Sequence, residues 1–363
     1  MKKGSAMGIR TERRALWAAR AFGAAGLAAA CMDPAGVSLA YRLAVFCWLS
    51  PAVGCLILLL IHRVTGGQWA SGVAPFLRAG AALLPWIWLF SFPLLLLPPS
   101  LGGSPSLAHP GLAYDGRVMV AARACAIAAV FFGLSRLVSD GAGSGRDPMR
   151  NARPWVGPVG LIVLFFMLTI LADDWLESLE PGWHSTAFPV VWMAGGVVFG
   201  LALALLGGLW TGAAPASDGR ADRPLGLDWG NLLLTTMVFW CYVSFAQFLI
   251  IWAGNLPEET TWFLRREVGA WEYLIPAVAL FGFAIPFFLL LSRRLKVSAR
   301  GLAAAAILLA ASQVVYTAWV ILPAGGSASV PGVLLALCFL AAAAGVFLNR
   351  FAGAARRLRE EVR

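Results

Sequence analysis

Acidic residues are concentrated in one short segment, 172–181, which reads ADDWLESLEP. If a helix runs through it, Asp173 and Glu177 lie four residues apart on one face, and Asp174 lies three residues from Glu177. Carboxylates held this close can share a proton, which suits proton exchange at a membrane surface. The simpler interpretation is an acidic helix end that faces water. The sequence leaves both interpretations open.

A second group of polar residues lies inside an apolar segment near residues 228–253. Trp240, Ser244 and Gln247 recur at helical spacing on one face, and Tyr242 belongs to the same segment. Because polar groups are costly inside lipid, this strip predicts a hydrated path, a quinone headgroup contact, or interhelical hydrogen bonds that fix packing. The candidate proton-path residues are Asp173, Asp174, Glu177, His62, Tyr242 and Gln247.

The six cysteines and three histidines do not form the ligand pattern of a redox centre. No two cysteines have the C-x-x-C spacing of iron–sulfur clusters, structural zinc or c-type haem, and the histidines are scattered. No P-loop is present. We therefore expect no catalytic residue and no metal or cofactor bound by this chain itself.

The composition predicts an all-α integral membrane protein. Hydrophobic residues make up 60% of the chain and charged residues 13%, with a mean hydropathy of +0.78, whereas an average soluble domain is about 25% charged. A helix needs about 20 apolar residues to cross the hydrocarbon core. Ten such runs, forming one polytopic domain over residues 1–363, lie near 15–31, 38–61, 74–97, 117–138, 154–172, 184–210, 228–253, 270–291, 298–322 and 332–349.

The basic residues that give the formal net charge of +10 lie mainly in alternate loops. Cytoplasmic loops of membrane proteins carry an excess of Lys and Arg, so we expect both termini to lie in the cytoplasm. The opposite set of loops is acidic. We exclude nucleic-acid binding, because the basic residues lie in short loops between apolar runs and not on one water-soluble face.

Several motifs, in this order along the chain, resemble those of one family of bacterial respiratory subunits. They are Asp33-Pro34, 62–69 (HRVTGGQW), 174–186 (DWLESLEPGWHST), 240–248 (WCYVSFAQF), 255–260 (NLPEET) followed by Trp262 and Arg265-Arg266, and 290–293 (LLSR). Together they resemble the F subunit of alternative complex III, a quinol:electron-acceptor oxidoreductase. The similarity extends from about the first predicted span to the ninth.

The resemblance implies a cofactor-free subunit with ten spans, arranged as NrfD-like (polysulfide-reductase-like) paired four-helix bundles plus two extra helices. It also implies a bacterial inner-membrane location, support of assembly and a role in proton translocation. The implied partners are lipid, a second ten-span NrfD-like subunit, an iron–sulfur subunit and a multihaem cytochrome c. Quinone or quinol would bind within the complex.

The chain departs from the family pattern at four positions. The family tends to place two adjacent histidines at His62-Arg63, an aromatic residue at His184 and a histidine at Gly282. Glu177 replaces an apolar residue that is common in the family. If the family's proton route needs those imidazoles, this chain uses a different route or has none.

Two other functions stay open. A secondary transporter is one, because paired helix breaks in two halves of a chain are typical of transporters, and Pro85/Pro93 and Pro276/Pro286 lie in the predicted third and eighth spans. A purely structural membrane scaffold is the other. Neighbouring genes for a multihaem cytochrome c and an iron–sulfur protein would favour the respiratory complex over a transporter.

Overall fold

The computed structural model describes residues 34–67, 69–70, 72–92, 94, 117–139, 153–180, 182–210, 225–325 and 353. Within these residues every regular element is helical. The α-helices are α1 (Pro34–Thr65), α2 (Ala74–Ala81), α3 (Leu84–Ser91), α4 (Arg117–Ser139), α5 (Val156–Trp175), α6 (Phe188–Trp210), α7 (Leu225–Gly254), α8 (Pro257–Leu264), α9 (Leu274–Ala279), α10 (Ile285–Leu291), α11 (Arg293–Val297) and α12 (Ala299–Ile321).

Eight segments of this described region are long and apolar enough to cross a membrane, which makes the chain an all-α multi-pass membrane protein. They coincide with the eight predicted spans between residues 38 and 322. The predicted first and tenth spans, 15–31 and 332–349, lie outside the described residues. The eight segments are Ser38–Thr65, Ala74–Ser91, Val118–Val138, Val156–Leu179, Phe188–Trp210, Gly226–Gly254, Gly269–Leu291 and Ala299–Ala324.

Two of the predicted continuous spans are interrupted. The third divides into α2 and α3, and its predicted end at residue 97 lies outside the described residues. The eighth contains a π-helical turn, Leu280–Ala284, between α9 and α10. Pro85 follows the first break, and Pro276 and Pro286 flank the second. Proline removes a backbone donor and clashes with the preceding turn, which is the physical reason for breaks at these places.

The centre of the bundle is α6, which packs against α1, α7 and α12. Glycines allow the backbones of α1 and α6 to touch. A Cβ added at Gly54 would lie 1.8 Å from the carbonyl oxygen of Gly196, and one added at Gly200 would lie 2.6 Å from that of Pro51. Close backbone approach through small residues is the usual way in which membrane helices associate.

The long helices alternate in direction, so their charged ends meet in two groups. At one end Arg63 of α1 donates to the carbonyl oxygen of Leu137 in α4 at 2.7 Å, and Lys296 donates to the side-chain oxygen of Asn231 at 2.6 Å. We call this the basic end. The opposite end, the acidic end, carries Asp173, Asp174, Glu177, Glu180, Glu258, Glu259, Glu267 and Glu272.

Substituting Gly54 with Ala is expected to lower the free energy of unfolding by about 1–3 kcal/mol, because the new methyl group overlaps the backbone of α6. The matched control is Gly133→Ala in α4, where an added Cβ meets no atom within 4 Å. That change is expected to be neutral or slightly stabilising. Thermal unfolding of both variants in mild detergent measures the difference. Equal melting temperatures would contradict the packing described for α1 and α6.

Candidate functional site at the acidic end

The segment after α5 turns sharply and brings its polar residues back to the end of the bundle. The α-helix does not continue through Glu177: α5 ends at Trp175, three residues beyond the predicted span end at 172, and a 3₁₀ turn, Glu177–Leu179, follows. Gly182 then adopts a φ of +82°, a left-handed conformation that glycine reaches without strain. The turn places the segment 183–186 beside the end of α5.

Asp174 forms an ion pair with Arg123 of α4 through two charge-assisted hydrogen bonds, one from Nε to Oδ2 at 2.8 Å and one from Nη2 to Oδ1. Both side chains are largely buried, with 11% of Arg123 and 5% of Asp174 exposed. Next to this pair, Arg42 of α1 donates to the carbonyl oxygen of Trp175 at 2.7 Å. Asp174 therefore joins α4 to α5.

Glu180 is also paired with arginine. Its carboxylate lies 2.9 Å from Nη1 of Arg265 and 3.8 Å from Nη1 of Arg266. Burial raises the pKa of Glu180, although the two guanidinium groups act to lower it. For Arg266 the effect of burial is the reverse, and it lowers the pKa to about 10. This arginine therefore keeps its charge at neutral pH.

Arg266 connects two separate parts of the chain. It donates hydrogen bonds to the carbonyl oxygens of Trp262, Trp319 and Val320 at 2.7 to 3.1 Å. Its guanidinium also lies 3.8 Å from the ring centroid of Trp262, within the range of a cation–π interaction. Arg266 therefore fixes the segment after α8 against the end of α12.

Glu177 is the third buried carboxylate, and its surroundings are different. The backbone N–H of Ser185 donates to its Oε2 at 2.9 Å. In the part of the chain that the structure describes, no Lys or Arg nitrogen lies within 4.0 Å of it. Its ionisable neighbours are Asp173 and His184, whose Nδ1 lies 4.0 Å from Glu177 Oε2 and 3.4 Å from Asp173 Oδ1.

A cavity of about 470 Å³ lies next to this cluster, between α7, the segment 262–283 and α12. Trp240, Ser244 and Gln247 all line it, so the predicted polar face of α7 faces this cavity. Gln247 also donates from Nε2 to the hydroxyl oxygen of Ser185 at 3.0 Å. Ser185 thus contacts both Gln247 at the cavity wall and the buried carboxylate of Glu177.

Most of the cavity wall is aromatic or aliphatic. The indole N–H groups of Trp240 and Trp319 are buried in this wall and have no hydrogen-bond partner among the described residues. Buried donors of this kind are normally satisfied by protein or by ordered water. An apolar pocket with a few polar groups is the usual form of a small-molecule site, so the cavity suits water or a flat amphipathic ligand.

The structure brings together three of the six predicted proton-path residues, namely Asp173, Glu177 and Gln247. Asp174 belongs to the neighbouring ion pair. His62 lies at the basic end, where Nε2 is 3.1 Å from the carbonyl oxygen of Gly67. Tyr242 is 68% exposed on the outer surface of α7, away from the cavity-lining face.

Four residues of the acidic end were absent from the predicted set: Glu180, His184, Ser185 and Arg266. The available signal was the turn sequence 181–186, PGWHST, which places polar side chains directly after a proline and a glycine between two apolar runs. Asp173, Glu177 and His184 each offer one possible metal-ligand atom, and these three atoms lie within 4.8 Å of one another. The three residues could therefore hold a metal ion.

The fold and the composition define the class of this chain as an all-α multi-pass membrane protein. No family model matches the chain, and no curated protein matches it either. The geometry of the acidic end, together with the sequence motifs that form it, is therefore the basis for inferring a function.

Replacing Arg266 with Gln is expected to lower the free energy of unfolding by about 3–5 kcal/mol, because it leaves the buried Glu180 without its inner partner and removes the hydrogen bonds to α12. The control is Arg265→Gln, whose side chain is 50% exposed and whose loss should cost below about 1 kcal/mol. Thermal unfolding in detergent compares the two. An equal effect of both substitutions would show that Arg266 does not fix this end of the bundle.

Proposed function

We propose that the chain is an integral membrane subunit of a quinol-oxidising respiratory complex of the alternative complex III type. In this proposal it has no redox cofactor of its own. It supports assembly of the complex and contributes to proton translocation coupled to quinol oxidation. It spans the bacterial inner membrane with both termini in the cytoplasm, and the acidic end faces the opposite side, as the distribution of basic residues predicts.

The observation that carries the proposal is that three motif segments of the resemblance meet at the acidic end: 174–186 contacts both 240–248 and 255–266, which lie more than 50 residues further along the chain. The ring of Trp183 stacks on that of Trp262 at a centroid distance of 4.9 Å, and Trp183 Nε1 donates to the carbonyl oxygen of Glu259 at 3.2 Å. Gln247 joins the third segment to Ser185. Motifs that form a single packed cluster support a common structural or functional role better than scattered similarities do.

The exposed apolar faces fit a subunit that has membrane neighbours. Only 22% of the residues in the most apolar windows of Gly226–Gly254 and Gly269–Leu291 are buried, compared with 83% for Ser38–Thr65. These faces need lipid or other helices to cover them. The proposed neighbours are lipid, a second ten-span NrfD-like subunit, and the iron–sulfur subunit and multihaem cytochrome c of the complex.

A proton role is supported by the position of Glu177. Its carboxylate is buried without an arginine partner in the described region, it is next to the half-exposed Asp173 and His184, and it connects through Ser185 to Gln247 in the cavity wall. A carboxylate between an exposed cluster and a cavity is suitably placed to accept and release protons. The cavity would supply the water molecules or the quinol headgroup on its inner side.

A secondary transporter is the second candidate, and one observation favours it. The third and eighth spans are both interrupted, one between α2 and α3 and the other at Leu280–Ala284. Discontinuous helices at corresponding positions of two halves are common around transporter binding sites. A purely structural scaffold is the third candidate, and it would use the packing of the acidic end without any proton transfer.

Affinity purification of the tagged full chain from native membranes in mild detergent separates these candidates. The proposal predicts that a c-type haem absorbance band, iron–sulfur signals in electron paramagnetic resonance and a second polytopic subunit co-purify in fixed ratio with the chain. A tagged, unrelated polytopic protein from the same membranes is the control. Purification of the chain alone, with no haem or iron, would contradict membership of such a complex.

In the purified complex, Glu177→Gln is expected to lower the number of protons moved per electron while quinol oxidation continues. Asp174→Asn is the matched variant, because it removes a neighbouring carboxylate that is already paired with Arg123. It should reduce thermal stability and leave the stoichiometry of the surviving complex unchanged. Proton uptake and release by proteoliposomes during quinol oxidation measure both. An unchanged stoichiometry in Glu177→Gln would remove this residue from the proton route.

A further inference from the structure

We propose that Asp173, Glu177 and His184 bind one divalent transition-metal ion of the zinc class at the acidic end. The proposal concerns a binding site formed by this chain alone and goes beyond the respiratory function. A metal ion and a proton would be alternative occupants of Glu177, because a carboxylate ligand must be deprotonated. No metal site was expected from the sequence, because its cysteines and histidines lack the spacing of zinc and iron sites; this set combines one histidine with two carboxylates.

The buried carboxylates of the acidic end differ in whether a guanidinium group is paired with them. Three buried carboxylates lie at the acidic end, and two of them have guanidinium partners: Asp174 has Arg123, and Glu180 has Arg265 and Arg266. Glu177 is equally buried, but within the described ranges no Lys or Arg nitrogen lies within 4.0 Å of its carboxylate, and the neighbouring carboxylate of Asp173 repels its charge. A buried carboxylate is stable when it is paired, protonated or bound to a metal.

The possible ligand atoms of Asp173, Glu177 and His184 have a spacing close to that of a metal site. The ligand atoms of the three residues lie within 4.8 Å of one another, and the two distances from His184 Nδ1 are 3.4 and 4.0 Å. A tetrahedral zinc site with bonds of about 2.0–2.2 Å separates its ligand atoms by roughly 3.3–3.5 Å. Asp173 and His184 are 39% and 51% exposed, so their side chains can close the remaining gap without moving the backbone.

Glu177, the buried side chain of the three, is already held in one orientation. The backbone N–H of Ser185 fixes Oε2 of Glu177, and the hydroxyl of Ser185 is in turn fixed by Gln247. Metal-binding carboxylates generally have such outer hydrogen bonds. The left-handed Gly182 turns the chain so that His184 returns to the end of α5.

The donor set indicates the kind of ion. One imidazole nitrogen with two carboxylates suits zinc, copper or nickel better than magnesium or calcium, which prefer oxygen ligands only. Two carboxylates and a neutral imidazole carry a charge of −2, which one dication balances. Three protein ligands leave a position for water, and the exposed side of His184 provides a path for the ion.

Equilibrium dialysis of the purified, chelator-treated full chain against Zn²⁺, with metal analysis by mass spectrometry, tests the site. We expect the wild-type chain to bind one tight Zn²⁺ ion, and His184→Ala and Asp173→Asn each to bind it on the order of 100-fold more weakly. The matched control is Glu258→Gln, which removes an exposed carboxylate from the same end and should leave Zn²⁺ binding unchanged. Mg²⁺ at the same concentration should not compete.

Electron paramagnetic resonance with Cu²⁺ as the probe gives a second, spectroscopic readout. Hyperfine coupling to one imidazole nitrogen is expected in the wild-type chain and should disappear in His184→Ala. Melting temperatures confirm that each variant is folded. The site is rejected if the double variant of Asp173 and His184 binds as much Zn²⁺ as the wild-type chain, or if the wild-type chain binds none. Because binding is measured on this chain, such a result does not depend on whether a respiratory complex co-purifies.

Discussion

A carboxylate that is buried at the edge of a membrane needs a compensating charge, and the acidic end is organised by how each buried acid obtains one. Asp174 forms an ion pair with Arg123 and thereby joins α4 to α5. Glu180 takes Arg265 and Arg266, and Arg266 in turn holds the ends of α8 and α12. Since breaking a buried pair leaves an uncompensated charge, these contacts fix the relative positions of the helices at this end. Among the buried carboxylates of the described acidic end, Glu177 is the one with no Lys or Arg nitrogen within 4.0 Å, which is why the proposals assign it a proton or a metal ion.

In the centre of the bundle the helices have few polar groups, so close packing and not charge pairing fixes their positions. There the backbones of α1 and α6 touch through Gly54 and Gly196, and dispersion contacts between small residues replace the hydrophobic driving force that is absent in lipid. The peripheral faces of α7 and of the interrupted eighth span stay exposed and apolar. A tightly packed inner group with apolar outer faces is the arrangement expected of a helical bundle that contacts lipid or other membrane helices.

Hydropathy predicted the eight described spans well, because a helical run of about 20 apolar residues matches the thickness of the hydrocarbon core. It could not predict which side each helix turns to its neighbours. The helices are apolar around most of their circumference, so periodicity gives little information on rotation. This is why Tyr242 was selected together with Gln247, although the two lie on different faces of α7. The pairing of Asp174 with Arg123, 51 residues away, and the location of His62 at the basic end also depend on tertiary packing.

The most direct test of a role in quinol oxidation is to delete the chain in its native organism and measure electron transfer from quinol to the acceptor in isolated membranes. If the chain is a subunit of such a complex, the deletion abolishes this activity together with the assembled complex, and expression of the wild-type chain restores both. Quinol oxidation at the normal rate by an intact complex that lacks the chain would contradict the proposed function.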